Sequence, residues 1–121
     1  MLGYTVVMKI ARSRNTKESG VIEFLTYKEG ASFVGVCLTF DIVEEGSDPV
    51  ELGQSLKEAA ELHLETVIKN DLSDDLLNRY APEEYWEKYF EATANIKNDP
   101  APASGYPMVS PYSSSTVAQI A

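Results

Sequence analysis

The chain of 121 residues holds one histidine and one cysteine, and groups its carboxylates into the clusters Asp41/Glu44/Glu45 and Asp71/Asp74/Asp75. His63 has the side chain best suited to carry protons near neutral pH. It recurs with Leu52, Leu56, Ala59, Ala60, Leu64 and Val67 at helical intervals, so a buried, hydrogen-bonded, structural histidine is expected. A nucleophile and base would need a hydroxyl or thiol within reach and a third group to orient them, and no such constellation stands out. Cys37 lies in the most apolar run and is expected to be a small buried residue; a single cysteine excludes a disulfide framework and a multi-thiolate zinc site. The acidic clusters could grip divalent cations, but Asp71-x-x-Asp74-Asp75 lacks the glycine and terminal glutamate of a calcium loop. A two-metal nuclease needs carboxylates on an inner strand, where only Glu23 and Asp41 are candidates. There is no phosphate-cradling glycine loop, nucleophile elbow or His-Glu zinc helix. The expectation is a protein that is not an enzyme and carries no metal and no cofactor.

Charge points to binding instead. The net −9 divides into +1 over residues 1–43, −10 over residues 44–91 and zero over residues 92–121. Such a field repels nucleic-acid phosphates and steers a basic protein toward the helical half. The one basic patch, Lys9, Arg12, Arg14 and Lys17, is not interleaved with aromatic residues, so strand-edge charge fits it better than a nucleic-acid surface. Tyr85, Trp86, Tyr89 and Phe90 share one face of a short acidic helix and suit either core packing or interface anchors. The partner-binding set read from these patterns is Glu44, Glu45, Glu83, Glu84, Trp86, Glu87 and Tyr89. No stretch approaches the roughly 20 apolar residues of a membrane span, nor do the first residues read as a secretory signal, so the expected compartment is the cytoplasm.

The elements that must position these residues are legible in outline. Tyr4 to Ala11 and Val21 to Tyr27 read as strands joined by a polar loop, followed by a turn at Lys28 to Ala31. Ser32 to Val43 is long enough for two strands or for one bent near Thr39, with apolar residues on both parities. Asp48, Pro49 and Glu51 supply an N-cap, a first-turn proline and a capping box, which start a helix over residues 49–69. A second start follows at Ser73, with Leu72 placed to staple onto Leu77, and a third at Pro82 that frays near Asn95. From Asn98 the composition turns to proline, serine, alanine and glycine and reads as a tail or linker over residues 98–121, after a domain over residues 1–97. Tyr106, Met108, Val109 and Tyr112 could dock back, and Thr116 to Ile120 could add a short strand. The fold class is α/β (α+β): an antiparallel sheet of three or four strands, one long helix across it, and two shorter helices.

Three pieces of the chain together resemble the core of the HicB-like antitoxin family. They are Phe33-Val34-Gly35-Val36-Cys37, then Val43-Glu44-Glu45-Gly46-Ser47-Asp48, then the helix from Ser55 to Glu65. The likeness spans roughly a third of the chain and lies in order and spacing, since no single residue in it is diagnostic. It implies a partial ribonuclease-H-like core and a protein that masks a small basic RNA-cleaving toxin of the HicA type. Many such proteins carry a C-terminal DNA-binding domain; residues 98–121 are too short and too rich in proline and serine for one, so direct DNA binding is not expected. Sheet edges that need cover add the expectation of a homodimer or higher homo-oligomer. The competing classes are a homo-oligomeric interaction domain without a toxin, and a metal-dependent nuclease-like enzyme.

Overall fold

The structure, a computed structural model, describes residues 14–95 and 105–113. The strand expected over Tyr4 to Ala11, with Lys9 and Arg12, and the one expected over Thr116 to Ile120 lie outside the described residues.

Four strands form one antiparallel sheet: β1 (Ser19–Glu29), β2 (Ser32–Cys37), β3 (Ile42–Gly46) and β4 (Tyr106–Ser113), in the order β3-β2-β1-β4. The run from Ser32 to Val43 is therefore two strands, and Asp41 makes the reversal between them at a φ of 59°. Strand alternation sorts the apolar side chains onto two faces. Ile22, Phe24 and Cys37 face one way and pack with Leu56, Ala60, Leu64 and Val67 of the long helix α1 (Pro49–Lys69). Leu25, Tyr27, Val34 and Val36 face the other way and pack with Ala81, Trp86, Tyr89 and Ala92 around helix α2 (Glu83–Asn95). The sheet is thus covered on both sides, which is why both parities of β2 are apolar.

Local chemistry fixes the helix boundaries. The Asp48 carboxylate accepts from the amides of Val50 and Glu51 at 2.9 and 3.3 Å, and Pro49 occupies the first turn. A Cβ at Gly35 would lie 3.1 Å from Leu52 and 3.3 Å from Leu56, so the bare backbone there lets α1 sit close on the sheet. Ser73 does cap a new start, its Oγ accepting from the Asp75 amide at 3.1 Å, but the result is a single 3-10 turn, Asp74–Leu77. The chain then rounds the end of the sheet, and the Ala81 amide donates to the Leu38 carbonyl at 2.8 Å before α2 begins on the opposite face.

One expectation is corrected. The Pro/Ser-rich stretch is not all tail, because Tyr106–Ser113 pairs with β1 from Ser19 to Thr26 as a full edge strand. Its two prolines do not prevent this. A continuous ladder over eight residues requires the amides of Tyr106, Met108, Ser110 and Tyr112 to face β1, so Pro107 and Pro111 fall on the outward side, where no ladder bond is lost. No helix among the described residues is long and apolar enough to cross a membrane.

Candidate functional site: an acidic rim and an apolar groove

His63 is half-buried, and its Nε2 lies 2.6 Å from the Leu76 carbonyl oxygen. A carbonyl only accepts, so Nε2 carries the proton and donates. The ring leans on Phe40 with centroids 4.7 Å apart. Its hydrogen bond thus ties α1 to the 3-10 turn, the structural role read from the helix stripe, although the ring is less deeply buried than the stripe implies. Cys37 is fully buried, and burial pushes its thiol up to about 12.

The Asp71/Asp74/Asp75 cluster is partly neutralised from the loop preceding β1. Lys17 Nζ lies 3.0 Å from Asp74 and 3.7 Å from Asp71, and donates to the Leu72 carbonyl at 2.6 Å, while Arg14 pairs with Asp75. The hydrogen bond to Asp74 leads the effects that hold the Lys17 ammonium above its ordinary range. Half of the basic patch is therefore spent on this loop-to-turn contact. Among the described residues no group of three or more histidine, cysteine or acidic side chains is arranged to hold a metal ion. Glu23 is buried instead against Thr39, whose hydroxyl donates to it at 2.5 Å.

The expected partner-binding residues divide into three groups. Glu45 and Glu84, with Glu29 and Tyr85, act electrostatically on the Tyr27 phenol. Burial first, then these neighbours, raise the Tyr27 phenol to about 12. Lys88 covers the Tyr27 ring with its ammonium 5.0 Å from the centroid. Glu83 and Glu87 are exposed on the same helix, so these carboxylates form a rim at one edge of the α2 face. Glu44, one residue from Glu45 on a strand, points to the opposite face and accepts from Ser55 Oγ at 2.8 Å. Trp86 and Tyr89 are only 2% and 7% exposed and pack edge-on against each other inside the core, so the expectation of surface anchors is corrected for both. The signal was present in the sequence: Trp86, Tyr89 and Ala92 repeat every three residues, while Glu83, Glu84, Glu87 and Lys88 fill the outer side.

A second feature was not foreseen. Helix α1 packs mainly over β2 and β3 and leaves part of the sheet bare beside it. The opening is a groove of about 780 Å³ with a floor of Phe24, Thr26 and Leu56. One wall is the first two turns of α1, with Val50 and Gly53; the other is Tyr106 and Met108 of β4. Val50, Tyr106 and Met108 are 76%, 56% and 40% exposed. No sequence pattern reveals this groove without β4, which supplies one of its walls.

No family model matches the chain, and neither the curated proteins nor the solved structures compared with it include a match.

Proposed function

We propose that the chain is a protein-masking module of the HicB-like antitoxin kind, which binds a small basic RNA-cleaving toxin and occludes it. The observation that carries this reading is the division of labour on α2. Its aromatic residues are consumed by the core, and its outer face is left with Glu83, Glu84 and Glu87 beside Glu29 and Glu45 of the sheet. An array of this kind raises the encounter rate of a basic protein and adds little to its retention. The strand, strand, acidic corner and helix of the resemblance are β2, β3, the Asp48 cap and α1, in that order. The ribonuclease-H-like relationship and the cytoplasmic location belong to the same proposal.

Self-association through the sheet edges is the weaker reading. On the outer side of β4 only Val109 can offer an amide between two prolines, while the β3 edge is five residues long and carries Glu44 and Glu45. Proline and charge are the usual means of blunting an edge.

The test is co-expression with the product of a short basic reading frame adjoining the gene, followed by an RNA-cleavage assay on the purified components. Inhibition is expected at equimolar ratio. Changing Glu83, Glu84 and Glu87 together to glutamine is expected to slow association severalfold with little effect on dissociation. A toxin that cleaves RNA equally with and without this chain overturns the reading.

A further inference from the structure

The groove beside α1 has the size of a small-molecule site. Its volume of about 780 Å³ falls inside the range of roughly 300–1,000 Å³ usual for such pockets. The lining is mostly carbon and carries a single charge: Phe24, Leu56, Val50 and Met108 supply apolar surface, and Lys57 is the one charged side chain among the lining residues. The helix wall is also polarised along its length. Pro49 and Val50 line it at one end, while Gln54 and Lys57, three residues apart on the same flank, bring an amide donor and an ammonium together at the other. The two ends are about 12 Å apart at the helical rise. Between them Gly53 has no side chain, and a Cβ built on it would meet no atom within 4 Å, so the middle of the wall is open.

The Lys57 ammonium is unmatched. On the same helix Lys69 pairs with Glu65 at 2.8 Å, and Lys17 and Arg14 pair with the aspartates around the 3-10 turn. The Lys57 side chain makes no ion pair or hydrogen bond among the described residues, although Glu61 follows it by four positions. A ligand that covers the apolar floor therefore meets a cation that the fold leaves unused, and a charged acceptor gives the stronger hydrogen bond to it. The amount of charge is limited as well. With a net −9 the chain repels a polyanion or a doubly charged phosphate monoester, whereas one carboxylate answers one ammonium.

We propose that the groove between α1 and β4 is a binding site for an elongated small-molecule carboxylate of the fatty-acid type. Its hydrocarbon chain lies over Phe24 and Leu56, between Val50 and Met108, and its carboxylate accepts from Lys57 and Gln54. The site is on the α1 face, across the sheet from the acidic rim, and does not rest on the antitoxin reading.

The experiment is an amide NMR titration of the full chain with decanoate, decanol and acetate. Decanoate is expected to shift the amides of Val50, Gly53, Lys57 and Met108 saturably and to bind about fivefold tighter than decanol, the size of a partly exposed charged contact; acetate is expected to leave them in place. Lys57→Gln is expected to bring decanoate down to the affinity of decanol without changing decanol. Lys28→Gln, at an exposed lysine of β1 outside the groove, is expected to change neither. Gly53→Leu is expected to weaken both ligands about tenfold or more, because its side chain fills the groove, while circular dichroism and melting stay native. Equal affinity for decanoate and decanol, or a Lys57→Gln variant that binds decanoate as tightly as the wild type, overturns the selection by charge. Shifts that do not saturate, or that centre on α2, overturn the site. So does a wild-type dimer in sedimentation that Gly53→Leu converts to monomer, since the groove then belongs to a second copy.

Discussion

Asn15 and Asn78 hold each other through reciprocal hydrogen bonds: the Asn15 amide donates to Asn78 Oδ1 at 2.9 Å, and Asn78 Nδ2 donates to the Asn15 carbonyl at 3.0 Å. The Asn15 side chain is itself fully used. Its Nδ2 donates to the carbonyls of Val21 and Leu77, and its Oδ1 accepts from the Val21 amide, at 2% exposure. One loop residue therefore joins β1, the 3-10 turn and the chain entering the sheet. Asn15→Ala is expected to cost about 2–3 kcal/mol in urea denaturation, because several buried backbone groups lose their partners. Asn15→Asp is expected to cost more near neutral pH, since a carboxylate oxygen would face two carbonyls, and to recover as pH falls, beginning above the ordinary carboxylate value of about 4 because burial favours the protonated acid. A double-mutant cycle of Asn15→Ala with Asn78→Ala showing strict additivity would dissolve the clasp.

Two glycine-to-alanine substitutions are expected to move stability in opposite directions. At Gly20 a Cβ would stand 2.5 Å from both Asn15 Oδ1 and the Tyr112 hydroxyl oxygen, so alanine forces that junction apart and lowers the melting temperature. At Gly53 the space is open and the backbone helical, so alanine is expected to add about 0.5–1 kcal/mol. Thermal unfolding of the two variants side by side decides both.

Trp86 is a core residue, and truncating it should act on folding before it acts on any partner. Trp86→Ala is expected to cost about 3–5 kcal/mol in denaturant unfolding, the range for removing a large buried aromatic side chain. Wild-type emission is expected at the short wavelengths of a buried indole, shifting red only with global unfolding. A Trp86→Ala variant of native stability would put the indole back on the surface.

Tyr27 and Tyr112 are both raised by burial, Tyr27 from 10.0 to about 12. A raised folded-state value means that the neutral phenol belongs to the native state. The contribution of these groups is therefore complete below pH 10 and lost as pH climbs toward 12 and beyond. Absorbance titration is expected to show these two tyrosines ionising last and together with unfolding. Tyr27→Phe should move that alkaline transition to higher pH, and an unmoved transition would separate Tyr27 from it.

Much of this architecture was legible in the residues. The Asp48-Pro49 start and the Lys69 end of α1, the turn at Gly30 and the start of α2 at Pro82-Glu83 all rest on local chemistry, which a sequence carries directly. The failures were non-local. The strand from Tyr106 to Ser113 holds two prolines and two serines, a composition that reads as linker, and only its pairing with β1 shows that the prolines fall on the outward side. The groove likewise exists only because α1 stops short of β4. Glu44 and Glu45, adjacent in sequence and alike in charge, were grouped together although strand geometry sends them to opposite faces.

The position of β4 also shapes how the protein is made. Residue 113 pairs with residue 19, so β1 gains its second neighbour only after both helices have been made. Until Tyr106 to Ser113 have cleared the ribosome, the nascent sheet ends in the unpaired backbone of Ser19 to Thr26, with Ile22 and Phe24 flanking it. This is the kind of surface that recruits chaperones or aggregates, and pairing over such long sequence separation is slow to form. Synthesis that stalls before Tyr106 therefore yields a polypeptide with both helices and three strands but an open seam. That seam distinguishes such a polypeptide from the folded sheet.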